Sequence, residues 1–199
     1  LEIIGATNFN TLIIKSKPNV GAGQVFTSDA VSATANAVYA EREFRDSFQQ
    51  LWYSLALPFA CDAASGLYNT NGTKITKGVW FNEYNSQKRA DTGLSSGNWD
   101  YVTSLSKGTA YMIYMNEGIN TVRFKAANPN DIFTQTASIP YYEYNGSADA
   151  EHHGWNFMAQ PMSSNAWPGV TAGAWGYIQV LRNGGAIASD VSTSGPYLT

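Results

Sequence analysis

The densest run of metal-binding and catalytic side chains is Asp149-Ala150-Glu151-His152-His153, which holds both histidines of the chain. A zinc site needs three or four ligands that converge from separate elements. Adjacent residues of an extended chain point to opposite faces, so His152 and His153 cannot easily bind one ion together. We therefore interpret this run as a solvated loop and expect no cofactor. Calcium stays an open alternative, because loop Asp residues and backbone carbonyls suit it, although the sequence has no D-x-D-x-D-G loop.

Carboxylates are the next candidates for chemistry, because glycoside hydrolysis needs two of them about 5 to 9.5 Å apart. The acidic residues that could serve are scattered along the chain, and no spacing pairs them: Glu83, Asp91, Asp100, Glu117 and Glu143. We therefore expect no enzyme activity. A concave groove that holds two facing carboxylates would favour the alternative of a glycan-active enzyme domain.

Composition and charge exclude several classes of protein. Cys61 is the only cysteine, so neither a disulfide within this sequence nor a Cys-based zinc site can form. Its place after an apolar segment indicates a partly buried small residue rather than a nucleophile. The net charge of -3 gives no basic surface for nucleic acid. No apolar run approaches the roughly 18 residues that a membrane-spanning helix needs, so we expect neither a nucleic-acid partner nor a membrane span.

Aromatic side chains beside polar ones are the remaining chemical signal, since the chain has 12 Tyr and 6 Trp. Sugar rings stack their C–H faces on Trp and Tyr, while neighbouring polar groups bind the sugar hydroxyls. This mixture gives six candidate ligand-binding residues: Trp99, Asp100, Tyr101, Tyr142, Tyr144 and Trp167. Packing is the alternative, because aromatic residues dominate the cores of β-sandwiches. We expect Trp52, Trp80 and Trp155 to be core residues, and for Trp99 and Trp167 both packing and surface contact stay open.

Two similar runs organise the elements that must position these side chains. Residues 51–59 and 154–162 both contain the pattern W-x-x-x-A-x-P. Each is a short, mostly apolar segment that begins at a Trp and stops at a Pro, which favours a buried strand over a helix. We predict that they are equivalent core strands. The many other short apolar segments with turn residues between them predict an all-β fold, an antiparallel β-sandwich of jelly-roll type.

Three local predictions accompany this fold. Residues 86–98 are interpreted as a loop, Glu117-Gly118 as a hairpin turn, and residues 132–139 as a strand. Between residues 40 and 52 the apolar spacing also fits a helix face. A strand that ends near Phe44 and then a loop agrees better with the strands on both sides.

The chain divides into two parts in this interpretation. Residues 1–44 form a leading set of β-strands, and residues 45–199 form the β-sandwich domain. The short, closely spaced strands of the first part also resemble one coil of a β-solenoid. The alternative is therefore that residues 1–44 are the end of a repetitive β segment that continues upstream.

The order of several motifs resembles a known family. Residues 9–16 are similar to an F-x-x-L-x-I-K-S run, residues 105–111 to L-x-K-G-x-A-Y, and residues 154–161 to G-W-N-x-x-x-N-P, with Gln160 where that pattern has Asn. The succession resembles a β-rich domain of large surface or secreted proteins of Bacteroidetes bacteria, many of them cargo of the type IX secretion system. The resemblance implies an extracellular or outer-surface location, and it implies a longer polypeptide whose sandwich domain continues beyond residue 199.

The expected function follows from the aromatic signal and from this resemblance. We expect a non-catalytic module of a bacterial cell-surface or secreted protein that contributes to adhesion or carbohydrate contact. Its partners would be glycans, host or extracellular surface proteins, and neighbouring domains of the same polypeptide. A structural spacer domain and a glycan-active enzyme domain are the alternatives.

Overall fold

The computed structural model describes residues 2–3, 5–17, 21–22, 26–27, 32–44, 51–93, 97–133, 156–157, 180–181 and 187–188. These residues form β-strands with one short α-helix and one 3-10 helix, which confirms the predicted all-β class. Within these ranges there is no helix with the length and hydropathy needed to cross a bilayer.

The first strands in chain order are β1 (Glu2–Ile3), β2 (Thr7–Lys17), β3 (Gly21–Ala22), β4 (Phe26–Thr27), β5 (Ala33–Glu43), β6 (Trp52–Leu55), β7 (Cys61–Asp62) and β8 (Leu67–Tyr68). The next elements are β9 (Val79–Tyr84), α1 (Ser86–Thr92), β10 (Trp99–Val102), β11 (Ser104–Leu105), β12 (Tyr111–Met115), β13 (Thr121–Lys125), the 3-10 helix Pro129–Phe133, β14 (Val180–Leu181) and β15 (Ile187–Ala188).

Four strands form an antiparallel sheet in the order β10-β9-β12-β6. Strand β12 lies in its interior and has the burial alternation expected of a half-buried strand, with Tyr111, Ile113 and Met115 buried. Ile113 lies between Phe81 of β9 and Tyr53 of β6, which are also buried. One face of this sheet is therefore a core face.

Five strands form a mixed sheet in the order β3-β2-β5-β13-β8. Its longest pairing is parallel, between β2 and β5, and runs from Thr7 opposite Ala33 to Ser16 opposite Arg42. Strands β1 and β4 also pair in parallel. Parallel pairing at the start of the chain departs from a purely antiparallel sandwich. The division of the chain at residue 44 stays a prediction. Strand β5 also pairs with β13, so these leading strands share a sheet with residues 121–125.

The two larger sheets pack on each other through one apolar core, which gives the sandwich-like architecture. Phe81 of the four-stranded sheet and Phe124 of the five-stranded sheet meet edge to face, with ring centroids 6.1 Å apart. Val38 and Val122 join the same core from β5 and β13, and both are fully buried. The alternation of β5, β9, β12 and β13 therefore places large apolar side chains between the two sheets.

A charged cluster ties β2, β5 and β13 together on the outer side of the five-stranded sheet. The register sets Lys15, Glu41 and Arg123 side by side on these strands. The Glu41 carboxylate accepts a hydrogen bond from Arg123 Nε at 3.1 Å, and its other oxygen lies 3.3 Å from Lys15 Nζ. Burial by itself raises the pKa of Glu41, but the hydrogen bonds and charges of these two cations outweigh it and hold that pKa below its ordinary value.

Three local predictions are corrected by the structure. Residues 86–92 form helix α1 and not a loop, because the Asn85 side chain accepts the Lys88 backbone N–H at 2.8 Å as an N-cap. The turn at Gly118 joins β12 of one sheet to β13 of the other, so it is not a hairpin turn. The residues at 129–133 form a 3-10 helix instead of the start of a strand. Residues 45–50 and 134–139 lie outside the described residues.

The prediction that Trp52 and Trp80 are core residues is wrong. Both lie on the outer face of the four-stranded sheet and are exposed. The buried residues of the 51–59 run are those at alternate positions after the Trp, including Leu55 and Phe59. The run thus contains the predicted core strand, but its buried side chains begin at Tyr53 and Trp52 points outward. Trp155 lies outside the described residues, and the equivalence of the two runs stays a prediction.

This difference between core and surface aromatics predicts unequal effects on stability. Phe124→Ala should lower the free energy of unfolding by about 3–5 kcal/mol, because it removes a fully buried ring and leaves a cavity. Trp52→Ala should have a clearly smaller effect, because 45% of Trp52 is already exposed. Urea unfolding of the two variants and of the wild type measures both effects. Equal losses would contradict the placement of Trp52 outside the core.

Candidate functional site

The outer face of the four-stranded sheet carries six aromatic side chains. Since successive residues of a strand point to opposite faces, the burial of Phe81 and Ile113 directs their neighbours along β9 and β12 outward. The aromatic residues at outward positions of the four strands form what we call the aromatic face: Trp52, Trp80, Tyr84, Trp99, Tyr101 and Tyr114.

The rings of the aromatic face contact one another across the strands. Tyr114 pairs with Trp52 on one side and with Trp80 on the other, with ring centroids at 5.4 and 5.5 Å. Farther along, Tyr84 pairs with Trp99 at 5.1 Å, with the rings edge to face. Such cross-strand aromatic pairs stabilise a sheet and fix the ring orientations. The aromatic face is therefore ordered by its own packing.

These rings are nevertheless open to solvent. The exposed fraction is 45% for Trp52, 37% for Trp80, 43% for Trp99 and 62% for Tyr101. Single exposed apolar residues are ordinary, but a contiguous group of large ones marks an interaction surface. The exposure of four large aromatic side chains on one sheet face identifies it as the leading candidate for ligand contact.

The remaining outward positions of the four strands carry small polar or apolar side chains without charge. Ser54 and Asn82 lie on β6 and β9, and Met112 lies between them on β12. The outward positions of these four strands include no acidic or basic side chain. The aromatic face thus combines ring surfaces with hydroxyl and amide groups, and it carries no formal charge.

A cleft of about 320 Å³ lies beside the aromatic face. Its lining comes from the end of β9, the start of α1, β10 and the loop before β12: Glu83, Tyr84, Asn85, Ser86, Gln87, Asp100, Val102, Gly108, Thr109 and Phe157. Phe157 connects the two features, because it lines the cleft and its ring centroid is 5.4 Å from that of Trp99.

Two carboxylates face each other across strands in this cleft. Glu83 of β9 is directly opposite Asp100 of β10, and both line the cleft. Burial first, and then the negative charge of Asp100, raise the pKa of Glu83. Asn85 Nδ2 donates to Asp100 Oδ2 at 2.9 Å. The expectation that no acidic residues are paired is therefore corrected.

The structure describes three of the six predicted site residues and places them on two sides of the sheet. Trp99 and Tyr101 lie on the aromatic face. Asp100, between them in sequence, points to the other side of the sheet and lines the cleft. The other three candidates lie outside the described residues: Tyr142, Tyr144 and Trp167.

Four members of the aromatic face were not among the predicted site residues: Trp52, Trp80, Tyr84 and Tyr114. Every second position of β9 forms one row, and both rows contain a polar residue: Asn82 lies with Trp80 and Tyr84, and Glu83 lies with Phe81. Residue types alone therefore give no signal for which row faces outward.

The described residues offer no group of three or more His, Cys, Asp or Glu side chains that could hold a metal ion. The predicted solvated loop at 149–153, with both histidines, lies outside them. Calcium binding therefore stays an open prediction.

Cys61 is buried in the core at the start of β7. Burial, and to a lesser degree the charge of Asp62, raise the pKa of its thiol to about 12. The thiolate that a nucleophile or metal ligand requires is thus disfavoured. Cys61 is a packing residue in this fold, more deeply buried than the sequence predicts.

Fold and site together define an all-β, sandwich-like protein with an exposed aromatic face on one sheet and an acidic cleft beside it. Comparison with protein-family models, with curated proteins and with solved structures gives no match. The family resemblance of the motifs stays an expectation.

The electrostatic coupling in the cleft gives a measurable pKa. We expect the carboxyl of Glu83 to titrate above its ordinary value of 4.5. Asp100→Asn should lower this pKa only in part, because it removes the charge of Asp100 and leaves the larger contribution of burial. Carbon-detected NMR titration of the Glu83 side chain measures both values. An unchanged pKa in Asp100→Asn would show that the two carboxylates are not coupled.

The same shift gives stability a pH dependence. Because the folded state binds the Glu83 proton more tightly than the unfolded chain does, its contribution favours folding at low pH and is lost as pH rises through the folded pKa. Glu83→Gln should therefore gain stability relative to the wild type between pH 4 and pH 7. Chemical unfolding at the two pH values tests this, and a relative loss over that range would contradict it.

Proposed function

We propose that this chain is a non-catalytic carbohydrate-contact module of a bacterial cell-surface or secreted protein. The observation that carries the proposal is the aromatic face, where four large rings remain exposed on one side of a sheet whose other side packs in the core. Adhesion to glycans is the role that this surface supports best.

Stacking on sugar rings is the chemistry that suits the aromatic face. Pyranose rings present C–H groups on their faces, and burial of apolar area against Trp and Tyr contributes roughly 25 cal/mol per Å². The contacts of Tyr114 with Trp52 and Trp80 hold these rings in place before a ligand arrives, so little side-chain freedom is lost on binding. Asn82 and the Tyr101 hydroxyl supply hydrogen bonds of the kind that sugar hydroxyls require.

The resemblance to Bacteroidetes surface proteins supports the location in the proposal. A module on the outer surface meets glycans and host or extracellular proteins directly, and it adjoins neighbouring domains of the same polypeptide. A structural spacer is the alternative role. It would leave the exposure of Trp52, Trp80 and Trp99 without a purpose, because scaffolding needs only the core and the domain ends.

A glycan-array screen of the chain, with calcium and again with chelator, tests the proposal. We expect saturable binding that Trp52→Ala and Trp99→Ala each weaken at least tenfold, which corresponds to about 1.4 kcal/mol. Tyr68→Ala is the matched control, because it removes an aromatic ring from the five-stranded sheet, and it should bind like the wild type. Loss of binding with chelator would add calcium to the site.

The result that would refute carbohydrate binding is equally specific. Absence of binding on the array in both conditions, with folded protein shown by circular dichroism, favours the spacer. Binding that is weakened as much by Tyr68→Ala as by Trp99→Ala would place the contact elsewhere or show that these variants act through stability.

A second candidate function, glycoside hydrolysis, is favoured by the paired carboxylates of the cleft. The raised pKa of Glu83 suits a general acid, and Asp100, which accepts a hydrogen bond from Asn85, supplies the facing carboxyl group. This candidate predicts release of reducing ends from a bound polysaccharide, lost in Glu83→Gln and in Asp100→Asn but with binding retained. Binding with no release of reducing ends in the wild type would leave the non-catalytic module as the function.

A further inference from the structure

The layout of the aromatic face also limits the shape and charge of its ligand. We infer that it binds a single, linear, uncharged polysaccharide chain, which crosses the strands diagonally and places several sugar units on the rings at once. This inference rests on the proposed function and specifies its ligand class.

The rings lie along a path across the whole sheet. Trp52, Tyr114 and Trp80 occupy one level on β6, β12 and β9. Trp99 lies on β10, opposite Tyr84, four residues farther along β9 than Trp80. Trp52 and Trp99 are separated by three strand spacings across the sheet and by four residues along the strands. Each of these separations is about 14 Å, so the diagonal between the two residues is roughly 20 Å. Because a linked pyranose advances by about one strand spacing, the path holds roughly four sugar units.

The path ends at an exposed Trp on each side of the sheet. Trp52 lies on β6 and Trp99 on β10, the two outermost strands of this sheet in the described part of the chain. Both end rings are exposed to a similar extent as the ring of Trp80 within the sheet. The Trp rings at both ends are therefore available for ligand contact, so a chain that reaches both makes more contacts than a short one.

The absence of formal charge at the outward positions selects against acidic glycans. Glu83 and Asp100 are on the opposite side of β9 and β10 and would repel an anion. Arg89 of α1 is the cation that contacts the face, and it is buried while it donates to the Tyr84 hydroxyl at 3.0 Å. A uronate or sulfate group thus meets no exposed cation at the outward positions of the aromatic face. An uncharged sugar needs no such cation in order to bind.

The ring orientations favour a separate chain over a crystalline polymer surface. The plane of Tyr114 is inclined by 49° to that of Trp52 and by 56° to that of Trp80, and Tyr84 and Trp99 are inclined by 66°. A flat crystal face would touch coplanar rings along their whole surface. Rings inclined to one another contact a chain that can turn between successive units.

Isothermal titration calorimetry with oligosaccharides of defined length tests this inference. The probes are β-1,4-linked glucose, mannose and xylose oligomers of two to eight units, with polygalacturonate as the acidic comparison and microcrystalline cellulose as the solid one. For the sugar that binds, we expect affinity to rise at least tenfold from two to about four units and then to level off. Trp52→Ala and Trp99→Ala should weaken the hexamer more than the dimer, and Tyr68→Ala should follow the wild type.

Salt supplies an independent readout. Binding of an uncharged chain should be insensitive to ionic strength between 50 and 500 mM, because no ion pairs are screened. Equal affinity for dimer and hexamer, preference for polygalacturonate, or retention on cellulose alone would overturn the inference while leaving carbohydrate binding intact. Failure of every glycan to bind, on the array and here, would overturn the proposed function and the inference together.

Discussion

Burial of one side of strand β12 is the constraint on which the rest of the sheet depends. β12 lies between β6 and β9, and Tyr111, Ile113 and Met115 fill the core from its inner side. A slip of one residue would expose all three and bury Met112 and Tyr114 instead. The core therefore fixes the register of β12 against both neighbours. The same register sets Tyr114 between the rings of its two Trp partners on the outer side.

The core thus determines which positions of the strands face outward, but it does not require aromatic residues there. Polar residues such as Asn82 would serve equally well at every outward position for solubility, and the sandwich would lose little, because its sheets are joined by Phe81, Phe124 and their neighbours. Large exposed rings also carry a risk of association between molecules. Their presence on a surface that the core does not require is the physical argument for a ligand, and their mutual contacts make that surface preorganised.

The sequence predicts the class of fold because short apolar segments, such as those that became β9 and β12, are separated by turn residues. The segment that became β13 adds a clear alternation, with Val122 and Phe124 inward. The sequence does not predict the phase of the run that begins at Trp52, since a large apolar residue at a strand end fits either face. Helix α1 escapes detection because seven residues carry little periodicity, and its main determinant is the capping by Asn85. The pairing of Glu83 with Asp100 depends on strand register between β9 and β10, which residue types alone do not fix.

Strand alternation also separates the two kinds of chemistry that β9 and β10 carry. Tyr84 and Trp99 point outward, while Glu83 and Asp100, their immediate neighbours in sequence, line the cleft on the other side. A sugar ring stacked on Trp99 therefore cannot reach the Asp100 carboxylate through the sheet, and a connection must pass around its edge at Phe157. Proximity in sequence is consequently misleading for this site. The aromatic face is complete as a binding surface without the carboxylates, so hydrolysis in the cleft would need a second bound segment of the same polymer, whereas adhesion needs only the first.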